Sequence, residues 1–395
     1  MGGAVRQMGV TERRARLGLR HRLAPSALAD SPVDVGRDLV VLHGTDPASV
    51  YLAAAARMHA PALGAIDRAM YDERALVRML GMRRTMFAVP VETAPIVQAA
   101  CTRAIAAQER RKLVQFIEQS RLTDDAATWL KGVEEAAVAA IGARGEAFAT
   151  ELSEDVPLLR QKLVFGLGTK NEVEQPIVTR VLFLLAADGR IIRGRPRGSW
   201  TSSQYRWTLI DSWLTGGVPD LPTEAARVEL VRRYLAAFGP ATVADVKWWT
   251  GWTAGETKRA LAEIGPAEVE LGGATGLVLA DDLEPTAVDE RWVALLPALD
   301  PTVMGWTDRG WYLGDHARAL FDRSGNPGPT VWCDGRIVGG WAHRKDGEIA
   351  VRLLEDIGAD ATAAADAAAE RLSSSLGKVR VTPRFRTPLE RELTA

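Results

Sequence analysis

A chain of 395 residues is too long for one ordinary core and suits about two to four domains of usual size. With 47% hydrophobic and 25% charged residues it is neither disordered nor membrane-embedded, and no run reaches the roughly 18 apolar residues of a spanning helix. A net charge of -1 gives no bulk attraction to nucleic acid, so any such binding must come from local clusters of arginine.

The opening residues hold several arginines but lack the apolar stretch of a signal peptide, so a cytoplasmic protein is expected. Cys101 and Cys333 fit no metal spacing and read as buried free thiols; no metal and no other cofactor is expected.

In chain order, residues 11–23 read as a basic amphipathic helix, 33–42 as a second helix and 47–58 as an alanine-rich third, with another turn or two over 66–72. Residues 75–80 and 84–89, joined through Gly81, have the alternation of a β-hairpin. An Ala- and Arg-rich helical connector fills 90–118, and the order then starts again. Helices are expected over 124–141, from Gly145 onward, and over 175–187, where a recognition helix belongs; a hairpin follows over 190–209. A third set comprises helices over 224–237, 243–249 and 254–264 and a hairpin over 267–279 turning at Gly272-Gly273. The tail has strand character over 293–300, 331–344 and 348–354, then an alanine-rich helix over 359–375.

This order predicts an α+β chain of three tandem winged-helix units, each a helix-turn-helix plus a β-hairpin, closed by a small mixed sheet with a helix. The expected boundaries are 1–95, 96–215 with a basic wing, 216–290, and a β-rich 291–395.

Two constellations stand out. Arg190, Arg193, Arg195, Arg197 and Arg206 occur with no acid among them and with Trp200, Tyr205 and Trp207 interleaved, as phosphate binding with aromatic stacking requires. The bland alternative is a solvated hairpin tip. Arg78, Arg83 and Arg84 in the first hairpin and Lys258 and Arg259 in the third unit repeat the trend more weakly. The second constellation is the corner Leu42-His43-Gly44-Thr45-Asp46-Pro47, read as the end of one helix and the cap of the next. There an imidazole and a hydroxyl can hold one water across Gly44, with Asp46 adding negative potential. The alternative is that His43 bonds a backbone carbonyl while Thr45 or Asp46 merely caps. No Gly-rich phosphate loop, nucleophile elbow or zinc-type cysteine pair is present, which sets aside kinase, hydrolase and zinc-finger readings.

Several phrases carry a resemblance over most of the chain: Leu42 through Pro47 with Tyr51-Leu52, Arg83-Arg84-Thr85-Met86, Phe238 through Thr242 with Trp248 through Gly251, Leu295 through Pro301, and Val331 through Trp341. In these the chain resembles the AlkZ-like family, bacterial DNA glycosylases of three tandem winged helices that remove alkylated bases and unhook interstrand crosslinks. In characterised members the corresponding corner carries Gln-x-Gln or Gln-x-Asp, side chains held to position the attacking water, where this chain has His43 and Thr45. The resemblance implies a monomer acting on double-stranded DNA, with hydrolysis of the N-glycosidic bond of alkylated purines at His43, Thr45 and Asp46. The competing expectation is a non-enzymatic winged-helix DNA-binding protein or transcription regulator, which needs the arginines but not the corner.

Overall fold

The computed structural model describes residues 5–60, 62–165, 172–288 and 290–395. Its first helices are Val10–Arg20, Pro32–Asp38, Pro47–Ala55 and Leu63–Tyr71. Ser31 caps the second by accepting from the Asp34 N–H, with Pro32 at the first helical position. That helix ends four residues before the expected stop at 42. Val40 sits at φ 66°, a left-handed conformation that a β-branched residue cannot carry through a helix, and the chain straightens behind it. Leu42–His43 is therefore a strand, correcting the reading of a corner between two helices. It lies on the outer edge of the expected hairpin, in a sheet ordered Leu42–His43, Thr85–Pro90, Leu76–Gly81.

The middle of the chain has helices Arg103–Ser120, Ala126–Arg144, Ala149–Asp155 and Val178–Ala187, with strands Ile191–Pro196 and Tyr205–Leu209 as the hairpin. Glu146–Ala147 does not open a helix but adds a third strand beside Tyr205–Leu209. Gln175 and Pro176 likewise leave the expected recognition helix for the strand Val173–Pro176, which pairs with Lys162–Phe165.

The third set is Thr223–Phe238, Val243–Thr250 and Ala254–Ile264, then strands Ala267–Glu270 and Thr275–Val278. Reciprocal capping fixes two starts: Thr242 with Asp245, and Thr253 with Glu256. Its sheet is completed by Arg6–Gln7, which pairs parallel to Ala267–Glu270 across the whole length of the first two sets. The tail sheet runs in the order Val293–Leu296, Thr330–Cys333, Arg336–His343, Ile349–Leu353, with Ala359–Leu376 packed on it and Pro388–Leu393 behind. Cys101 and Cys333 are free and buried.

The core is not parcelled by chain order. One apolar cluster takes residues from Leu17 to Leu393, including Val41, Tyr51, Phe87, Tyr234, Trp249, Trp306 and Trp332. A second, drawn only from the middle of the chain, runs from Leu113 to Trp207. Within the first lies a fully buried polar network. Arg57 grips Asp300 with two bonds of 2.9 and 2.7 Å and also donates to the carbonyls of His21 and Ala53 and to Thr302 Oγ1. The His21 Nε2 faces the Ala237 carbonyl at 3.2 Å and must carry the hydrogen, so Nδ1 accepts from the Thr302 hydroxyl at 2.8 Å. Every member is satisfied, and the network ties the first helices to the tail loop and to the helix Thr223–Phe238.

Candidate active site and nucleic-acid interface

The corner is built on a strand edge. His43 pairs with Phe87, and the Gly44 N–H continues the ladder to the Met86 carbonyl at 2.8 Å. The strand ends at His43, and Thr45 follows in the bend that leads through Asp46 into the helix Pro47–Ala55. Gly44 between them admits no side chain: a Cβ would lie 3.2 Å from the Phe87 carbonyl carbon and 3.3 Å from Arg78 Nη1.

His43 is buried, edge-on to Phe87 with ring centroids 5.5 Å apart, and its Nδ1 has no partner. Burial and then the nearby Arg83 guanidinium push its pKa down to about 3, so the ring is neutral at ordinary pH. Thr45 is half-buried. Asp46 is fully engaged: Oδ1 accepts from the Ala48 N–H at 3.1 Å as the cap of the next helix, and Oδ2 from the Arg384 N–H at 3.0 Å. These two bonds pin the corner to the tail and leave the carboxylate's charge in place.

Of the basic residues, Arg78 is not on the surface but buried, donating to the Gly44 and Pro47 carbonyls at 3.3 and 3.4 Å from beneath the corner. Its guanidinium also lies over Tyr205 of the second hairpin, 5.1 Å from the ring centre. Arg193 approaches the same ring at 5.7 Å and Trp207 at 5.1 Å, and burial lowers its pKa to about 10. Arg78 thus links the first hairpin to Tyr205 of the second, and Arg193 packs on the same ring from within the second hairpin.

The acids missing from the 190–206 window arrive from elsewhere in the fold. Arg190 pairs with Glu135, Arg195 with Asp67 and Asp72, and Arg206 with Glu146 at 3.2 Å. In the first hairpin Arg84 pairs with Glu109. Arg197 lies exposed, 4.1 Å over Phe148, and Lys258 and Arg259 are exposed on the helix Ala254–Ile264. Arg83 stands 4.0 Å over Trp248. Sequence reasoning missed the role of Arg309, whose guanidinium lies 5.2 Å from the same indole, and missed the Arg57–Asp300 pair, 243 residues apart. No local pattern announces either. An apolar cleft of about 490 Å³ lined by Leu23, Leu52, Trp292, Trp341 and Leu372 shares no residue with the corner.

The model of the AlkZ-like DNA glycosylase family matches residues 37–374. Among solved structures, the chain is similar to the DNA glycosylase AlkZ of Streptomyces sahachiroi, with a TM-score of 0.70 and 20% identity over 96% of this chain and 100% of that one. No curated protein sequence matches.

Proposed function

Because the chain belongs to the AlkZ-like DNA glycosylase family, we propose that it hydrolyses the N-glycosidic bond of alkylated purines in duplex DNA at the His43-Gly44-Thr45 corner. The observation that carries this reading is the buried, neutral His43 ring, two residues before Thr45, whose Nδ1 has no partner among the described residues. Buried polar atoms ordinarily find partners, and exceptions concentrate at working sites.

An N7- or N3-alkylated purine already carries positive charge, so it leaves with the electrons of the C1′–N bond and needs no general acid. The sugar passes through an oxocarbenium-like state that water attacks at C1′. Water bound to such a carbon is strongly acidic, so a weak base suffices: His43 orients the water as a neutral acceptor, and Thr45 holds it from a second side. Asp46 fixes the corner in place instead of acting on the sugar.

We read each helix set with its hairpin as a winged helix, over 1–95, 96–215 and 216–290, with 291–395 closing the back. The protein works as a cytoplasmic monomer. No helix among the described residues is long and apolar enough to cross a membrane. Of the candidate cations, Arg83, Arg197, Lys258 and Arg259 have no acidic partner among the described residues and form the DNA face, while Arg78 braces the first two units. A gripping surface of this kind suits bulky adducts better than a closed base pocket.

The test is duplex DNA carrying N7-methylguanine, scored for abasic sites. His43→Ala abolishes release, a loss of roughly a hundredfold or more, with DNA affinity nearly intact. Thr45→Ala costs about 1 kcal/mol, one neutral hydrogen bond to water. Full activity in the His43 variant refutes the placement of the site.

A further inference from the structure

Arg83 and Arg309 both lie against Trp248, at 4.0 and 5.2 Å from its ring centre, and all three side chains are half-buried. The Nε atoms of both arginines are buried without a partner, and neither guanidinium reaches a carboxylate within ion-pair distance among the described residues. Asp245 accepts from the Thr307, Asp308 and Thr242 N–H groups and Asp308 Oδ1 from the Gly310 N–H, and neither carboxylate forms an ion pair with Arg83 or Arg309 among the described residues. This contrasts with Arg84, Arg190, Arg195 and Arg206, each neutralised from elsewhere in the fold.

Backbone strain is spent to hold this arrangement. Arg83 sits at φ 54°, and Gly251 packs directly on it, where a Cβ would meet Arg83 Cγ at 2.9 Å. Burial and the charge of Arg309 together lower the Arg83 pKa to about 10, so the two cations repel one another as they stand. An anion between them turns that repulsion into shared attraction.

We infer that Arg83 and Arg309, flanking Trp248, hold one backbone phosphate of the duplex next to the nucleotide whose sugar faces His43. The inference rests on the glycosylase reading for the identity of that nucleotide. The corner's own carboxylate, Asp46, is held in place by the Ala48 and Arg384 N–H groups. A phosphate fixed here supplies the negative potential that a cationic sugar requires, and the DNA brings it. Both arginines act on position and potential and touch no reacting atom.

The experiment replaces each phosphate within two nucleotides of N7-methylguanine, one at a time, by an uncharged methylphosphonate. Affinity against salt and single-turnover base release are measured for wild type, the double variant R83Q/R309Q and the double variant R83K/R309K. We expect one position at which the neutral linkage lowers wild-type affinity on the order of tenfold, with no such loss in R83Q/R309Q. The salt slope of R83Q/R309Q becomes shallower by about 0.9, the value for one phosphate, and R83K/R309K restores it. A wild-type scan with no sensitive position overturns the clamp, whatever the variants do and even if they fail to fold. So does a sensitive position that persists unchanged in R83Q/R309Q. A sensitive position in a wild-type protein that releases no base keeps the clamp and sinks the glycosylase reading. Wild type that does not bind duplex DNA at all overturns both.

Discussion

The state of the His43 ring makes a measurable claim about pH. An imidazole at its ordinary value near 6.5 would be almost wholly protonated at pH 5, cutting a rate that needs the neutral ring by about 30-fold relative to pH 8. With burial and Arg83 holding the pKa at about 3, the neutral fraction barely changes over that range. Base release from N7-methylguanine DNA, followed in single turnover at constant ionic strength, is therefore flat from pH 8 to pH 5 as far as His43 is concerned. The cost appears in stability instead. Between pH 3 and 6.5 the unfolded chain binds a proton at this position and the native protein does not, so stability is full above 6.5 and falls as pH drops through that window. His21, fully buried and also held near 3, behaves the same way. At pH 5 each ring removes about 2 kcal/mol, so urea midpoints should fall steeply below pH 6 while the rate of the protein that remains folded does not. A rate that drops with a midpoint near 6.5, and loses that midpoint in His43→Gln, would refute the neutral-ring account.

Three further outcomes follow from the same geometry. Asp300→Ala leaves the fully buried Arg57 guanidinium without its counterion and should cost about 3–5 kcal/mol in urea denaturation; a loss below 1 kcal/mol means that the pair is not the tie it looks to be. Trp249→Ala empties a site packed against Tyr234 at 4.9 Å and should cost about 3–5 kcal/mol, where a loss under half of the lower figure would place the wrong tryptophan inside. Arg197→Ala should flatten the salt dependence of duplex binding by about 0.9, whereas Arg195→Ala, which breaks only its pairs with Asp67 and Asp72, should leave the slope alone; equal effects would mean that Arg195 leaves its acids for DNA.

What the sequence disclosed tracks how local the cause is. The hairpins at 76–90 and 191–209 and the capped helices at 243 and 254 were all legible, because caps, turns and alternation act over a few residues. The helix end at Asp38 was misplaced because nothing in Leu39-Val40-Val41-Leu42 announces a left-handed valine; only pairing with Phe87 and Ala88 shows why the chain straightens. His43 and Thr45 stand out for their residue types, but the extended backbone that carries His43 comes from pairing with Phe87, which the local sequence does not announce. The arginine cluster was over-read for a plain reason: a window of sequence shows which charges are neighbours along the chain and hides the acids that fold back onto them, such as Asp67 and Asp72 onto Arg195. Arg309 lay beyond reach because its partner in position, Arg83, is more than two hundred residues away.

The parallel strand Arg6–Gln7 on the edge of the third sheet has a consequence for how the molecule comes apart. It joins the beginning of the described chain to residues near 270, and Arg16 and Arg20 reinforce the join through Asp282. The first and third sets therefore form one body closed over a middle segment that owns the separate core from Leu113 to Trp207. Cooperative order and genetic order differ: loosening begins most readily in the interior of the sequence, where a protease can cut without releasing either flank. A nicked chain would then stay together in size and loosen along the seam where Arg78 meets Tyr205 and Arg195 meets Asp67 and Asp72, which is where heat should first be felt.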